Sequence, residues 1–138
     1  MKEKSILILC TGNSCRSQMA EGFAREAGWQ AYSAGTKPEI EVNPNAVKVM
    51  AESGIDISKQ TPQSVDEFIE NNFTIVATVC DNARESCPNF TGDYSQQIHR
   101  PFKGPALAKG STETILEAFR IARDEIKTWI YTLDRDKK

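Results

Sequence analysis

The chain has a single histidine, His99, among 138 residues. It has no apolar run approaching the length of a membrane span, and no block of basic residues. With 17 Lys and Arg against 19 Asp and Glu, the net charge is −2, which gives nucleic-acid binding little electrostatic support. One histidine, and no cysteine pair at the short spacing of a zinc knuckle, argue against zinc, and no metal or cofactor is expected. The apolar stretch Ile6–Leu9 behind Met1-Lys2-Glu3-Lys4 is too short for a secretion signal and lacks a small-residue cleavage site. A cytoplasmic location is expected. There is no internal repeat, low-complexity segment or linker, so residues 1–138 read as a single domain of a size that can bury one core.

What is present begins with four cysteines, Cys10, Cys15, Cys80 and Cys87. In a cytosolic chain with its own core, catalytic or redox roles outrank structural disulfides. Ile6–Leu9 is continuously apolar, as a strand buried on both faces is, and it leads into Cys10-Thr11-Gly12-Asn13-Ser14-Cys15-Arg16-Ser17. A helical pattern then runs from Arg16 to Ala27, with Met19, Ala20, Phe23, Ala24 and Ala27 on one face and Gly28 as its stop. In a strand–loop–helix of this kind, backbone N–H groups converge on an anion. There is no Gly-Lys-Ser/Thr ending as in a nucleotide-binding loop, and a thiol stands at the base. The stretch is therefore read as a cradle for a tetrahedral oxyanion that sulfur attacks. Loop amides, the helix start and Arg16 favour the Cys10 thiolate, and Ser17 adds a hydroxyl. Arg16 can hold two oxyanion oxygens. Gly12 and Asn13 tolerate a left-handed backbone.

Further along, Gln30–Ser33 reads as a strand closed by Ala34-Gly35. Asn43-Pro44 caps a helix that runs to Gly54. Ser64–Glu67 has capping-box spacing. Phe73–Val79 is a β-branched strand ending at Cys80, residues 81–93 form a mobile loop, and Ser95–His99 is a fourth strand. Pro101, Gly104, Pro105 and Gly110 mark a surface loop. A last helix from Ser111 or Thr112 carries the stripe Ile115, Phe119, Ala122, Ile126, Trp129 and Leu133. Alternating strands and helices predict an α/β fold, a three-layer domain with a four-stranded parallel sheet flanked by helices. Cys10 and Cys80 then both lie at carboxyl ends of strands, where such sheets bind ligands. His99 reads as structural, Trp29 and Trp129 as packing at element ends, Glu21 as a solvated or capping carboxylate, and Lys103 as an exposed loop charge.

The stretch Cys10–Gly22 resembles the signature of the thioredoxin-coupled arsenate reductases, which share the fold of the low-molecular-weight protein tyrosine phosphatases. The resemblance continues through Tyr32–Gly35, Asn43-Pro44, Gly54–Ser58, Val79–Asp81, Cys87-Pro88, Phe119-Arg120 and Arg123–Ile126. It implies that Cys10 attacks arsenate, held by Thr11, Gly12, Asn13, Ser14, Cys15, Arg16 and Ser17. Cys80 then attacks Cys10, arsenite leaves, and Cys87 takes over the disulfide for reduction by thioredoxin, with glutaredoxin as the alternative reductant. Two electrons are needed, and two thiols ending as a disulfide supply them. The Cys15 sulfur is expected to stand outside this relay. Phosphate and sulfate are expected as substrate analogues, and the chain as a monomer. Two alternatives remain: a phosphatase working through a Cys10 thiophosphate, and a noncatalytic oxyanion-binding or redox-sensor protein. The family pattern places a general-acid Asp where this chain has Gly104, so that role is not carried over. Some relatives hold potassium with side chains matching Asn13, Glu21, Ser33 and Thr61, but their Asp corresponds to Gln63 here, and no cation is assigned.

Overall fold

The computed structural model describes residues 4–80, 90–102, 105 and 108–136, with side chains to 133. Cys87, Lys103, Gly104 and most of the expected 81–93 loop lie outside the described residues. Strand β1 (Ser5–Cys10) is followed by α1 (Arg16–Glu26), β2 (Gln30–Gly35) and α2 (Pro44–Glu52). After a 3-10 turn at Val65–Phe68 come β3 (Asn72–Thr78), β4 (Asp93–His99) and α3 (Thr112–Asp136). The four strands form one sheet in the order β2-β1-β3-β4, with every neighbouring pair parallel. The expected α/β class and parallel sheet are therefore present. Among the described residues, no helix is long and apolar enough to cross a membrane.

The continuous apolar run of β1 is explained by its place in the middle. Ile6, Ile8 and Cys10 enter the core beneath the helices, while Leu7 and Leu9 enter a second core on the opposite face. Each wholly buried Leu or Ile contributes about 1.5–3 kcal/mol of transfer free energy. The helical core takes Met19, Phe23 and Ala24 from α1, Ala46, Val49 and Met50 from α2, and the stripe of α3. Leu116 and Ile130 widen that stripe beyond the positions expected, and Ile115 is only partly buried. Among the described residues, the opposite face is covered by the 3-10 turn and an aromatic group. Phe73 has Phe68, Tyr32 and Phe90 around it at ring-centroid distances of 6.2, 5.9 and 5.9 Å.

Local signals account for most element ends. Gly28 and Gly54 have φ of +100° and +82° and close α1 and α2. The Asn43 side chain accepts from Asn45 N, with Pro44 in the first turn. Ser64 and Glu67 complete a capping box. Four strand limits differ from expectation, among them the start of β3 at Asn72 rather than Phe73. β2 runs on through Ala34-Gly35, because it pairs with β1 up to Cys10↔Gly35. β3 stops at Thr78, and β4 starts at Asp93 because Asn72↔Asp93 is already paired. Trp129 lies within α3 and packs on Phe102 at a ring-centroid distance of 5.6 Å, rather than at an element end. Trp29 sits between α1 and β2, as expected.

Candidate active site

The cradle is a loop between the end of β1 and the start of α1. Asn13 takes the left-handed conformation, with φ +51°; Gly12 does not, although both were candidates for it. Gly35, at the end of β2, is needed for a different reason. A Cβ there would lie 2.4 Å from Thr11 O and 2.8 Å from Cys10 O, so only glycine lets β2 close against the cradle. Residues Cys10 to Arg16, with Lys37, Glu39 and Pro105, line a cavity of about 300 Å³. The structure thus brings the candidate cradle residues Cys10 to Arg16 to one cavity, which Ser17 does not line. Ser17 lies beneath the cavity, wholly buried.

Hydrogen-bond directions under the cavity follow from the obligate donors and acceptors. Gln63 N–H donates to Asn13 Oδ1 at 2.7 Å, which turns Asn13 Nδ2 toward Ser17 Oγ, 2.8 Å away. Ser17 Oγ is thereby an acceptor for Asn13, and its own hydrogen is left for the Cys10 sulfur at 2.9 Å. Behind this, Gln18 Nε2 donates to the carbonyls of Asn13 (2.9 Å) and Thr61 (3.2 Å), and Gln60 Nε2 donates to Gln18 Oε1 at 2.7 Å. Gln18 falls within the Cys10–Gly22 signature, but no local signal marks its bonds to Thr61 and Gln60, and none marks Gln60 itself or the bond from Gln63 N to Asn13.

Arg16 opens α1 and is largely buried, with Nη1 donating to the carbonyl of Phe102 at 3.0 Å. Lys37 and Glu39, which no sequence motif marks, also line the cavity. Their loop is laced to the cradle by Lys37 N→Thr11 O (3.0 Å), Glu39 N→Gly12 O (2.9 Å) and Asn43 N→Ser14 O (2.9 Å). Burial pushes the Cys15 thiol up to about 11, against a weaker opposing pull from its Ser14 hydrogen bond. Cys15 is therefore protonated at neutral pH, and a thiol is a poor nucleophile.

Glu21 corrects the reading of a solvated or capping carboxylate. It is mostly buried, accepts from Ser33 Oγ at 2.5 Å and pairs with Arg25 at 2.6 Å. Asn13, Glu21 and Ser33 are thus engaged with protein groups, and among the described residues no cluster of His, Cys, Asp and Glu has the makings of a metal site. His99 ends β4 on the exposed edge, with Nδ1 2.6 Å from Thr78 Oγ1.

Cys80 is reached through the sheet. β1 and β3 are neighbours with Leu9↔Thr78 in register, and Val79 N donates to Leu9 O at 2.9 Å. The chain thus brings Cys80 off β3 beside the strand that ends in Cys10. Both sulfurs belong to one buried cluster. Cys80 is disulfide-bonded, whereas Cys10 and Cys15 are free.

Comparison with known proteins matches this arrangement. The family model of the low molecular weight phosphotyrosine protein phosphatases covers residues 5–136. The arsenate reductase of Bacillus subtilis (strain 168) is 47% identical over 129 residues, which is 91% of each chain. That of Halalkalibacterium halodurans is 45% identical over 135 residues, 96% of each chain. A solved arsenate reductase in a phosphate-binding state superposes with a TM-score of 0.76 at 30% identity, covering 98% of this chain and 99% of its own. The chain belongs to the low molecular weight phosphotyrosine protein phosphatase family, and within it to the arsenate reductases.

Proposed function

We propose that this chain reduces arsenate to arsenite, with Cys10 as nucleophile, Arg16 and the amides of residues 11–17 as the oxyanion cradle, and Cys80 and Cys87 as the redox relay. In the first step the Cys10 thiolate attacks arsenic, an S–As bond forms, and one oxygen leaves as water after taking up a proton. In the second, the Cys80 thiolate attacks the Cys10 sulfur. The S–As pair of electrons stays on arsenic, which departs as As(III), and a Cys10–Cys80 disulfide remains. In the third, Cys87 attacks Cys80 and releases Cys10 as a thiolate. Thioredoxin then reduces the Cys80–Cys87 pair.

The observation that carries this reading is that Cys80 lies two residues beyond β3, the parallel neighbour of the strand that ends in Cys10, with both cysteines in one buried cluster. Oxidised Cys80 with free Cys10 is the arrangement that the third step leaves behind. Ser17 supports the first step, since a hydrogen aimed at the sulfur is a ready donor to an attacking thiolate. A phosphatase would use the same cradle, but it gives Cys80 no part. The two cores share one sheet, which supports a single domain over residues 1–138, and we read it as a cytoplasmic monomer. The test is arsenate-dependent NADPH consumption with thioredoxin and thioredoxin reductase, run beside a glutaredoxin arm. Cys10→Ser, Cys80→Ser and Cys87→Ser should each abolish it. Full turnover without Cys80 would remove the relay, and phosphate-ester hydrolysis without arsenate turnover would favour the phosphatase.

A further inference from the structure

The cavity over Cys10 contains a carboxylate. Glu39 lines it together with Cys10, Cys15, Arg16 and Lys37, and no other Asp or Glu does so among the described residues. Its backbone is fixed to the cradle by the 2.9 Å bond to Gly12 O. Its side chain lies over Gly12, where a Cβ would come within 3.3 Å of Glu39 Cγ and 3.4 Å of Oε2. Glycine at 12 thus leaves room for this carboxylate on the cradle. No ion pair or hydrogen bond to the Glu39 carboxylate occurs among the described residues.

A carboxylate beside an anion site is repulsive toward a fully ionised oxyanion. Toward an oxyanion that carries a proton it is the reverse, because the X–O–H group donates a charge-assisted hydrogen bond to it. Arsenate and phosphate both bear at least one proton near neutral pH; sulfate bears none. We propose that Glu39 is a specificity residue that accepts the hydroxyl of the bound oxyanion, so that the cradle prefers arsenate and phosphate and holds sulfate as a weaker analogue. The favourable contact and the repulsive one come from the same group, as discrimination between near-isosteres requires. Arg16 and the loop amides meet the charged oxygens, Glu39 meets the protonated one, and Lys37 offsets part of the added negative charge. This inference rests on the oxyanion-cradle reading above, and it concerns which anion enters rather than the redox steps.

The test is calorimetric titration of the full-length chain carrying Cys10→Ser, which removes the thiolate from the comparison, with inorganic phosphate and separately with sodium sulfate. The same titrations are made with Glu39→Gln and Glu39→Ala added. The parent should prefer phosphate by about tenfold or more, and both substitutions should cut that ratio by about tenfold, chiefly by tightening sulfate. An unchanged phosphate-to-sulfate ratio in both variants, or an equal weakening of both anions, overturns the role of Glu39. A parent that binds neither anion overturns the cradle reading itself, and the role of Glu39 with it.

Discussion

Cys10 and Cys15 bracket one loop, and both sulfurs are buried in the same core. Their surroundings differ. Cys10 has Ser17 Oγ at 2.9 Å, and the direction of that hydroxyl is set by Asn13 and, through it, by the Gln63 amide. Cys15 has a long contact of 3.7 Å to Ser14 Oγ, and burial pushes its thiol up to about 11. Burial by itself makes a protonated, inert thiol. A nucleophile needs a donor held in place by groups that have no freedom to turn. On the proposed reading the cradle has an active end and a structural end, and the difference lies in the residues behind it as much as in the motif.

The largest expected effect separates the two cysteines directly. Cys10→Ser should lower arsenate turnover by about a thousandfold or more, while Cys15→Ser, which keeps the backbone amide, should cost less than about tenfold. Equal losses in the coupled assay would erase the distinction. Next, Ser17→Ala should slow the first step by about ten- to a hundredfold by removing the hydroxyl that contacts the sulfur. Rapid-mix kinetics would check this, and an unchanged rate would show that the hydroxyl is idle.

A smaller effect is expected one layer back. Gln18→Ala removes the donor to the Asn13 and Thr61 carbonyls and should cost about 1–3 kcal/mol in a denaturant titration. It should also slow the first step less than Ser17→Ala does. The smallest effect is the pH response of Cys15. Its folded pKa, about 11, stands above the ordinary 9.0, so the unfolded chain ionises first. Its contribution to stability is complete below 9.0 and is lost as pH rises through about 11. In a Cys10→Ser background, alkylation of Cys15 should stay slow until that range. Rapid modification at neutral pH would contradict the assignment of Cys15 as inert.

The active end was legible because it is local. Cys10, the loop residues and Arg16 are contiguous, and the strand before them and the helix after them leave strong periodic signals. The apolar stripe of α3 and the caps at Asn43 and Ser64 were legible for the same reason. What was hidden depends on chain crossings. Gln60 meets Gln18, and Gln63 meets Asn13, only because the segment before the 3-10 turn folds back against the cradle. Glu21 looked like a surface carboxylate because nothing in its own turn reveals that Ser33 and Arg25 enclose it. Glu39 and Lys37 reach the cavity through loop backbone bonds that no spacing records. That Cys80 follows the strand paired with β1 depends on the strand order β2-β1-β3-β4, and that order comes from sheet topology rather than from either cysteine's neighbours.

The central claim is that this chain's own thiols supply the two electrons that arsenate takes up. The most direct measurement mixes the fully reduced chain with excess arsenate, with no thioredoxin or other reductant present, and counts the arsenite released per chain. The relay predicts a burst of about one arsenite per chain that then stops, with one disulfide gained and Cys10 again open to alkylation. No arsenite, or continued arsenite release without a reductant, would contradict it.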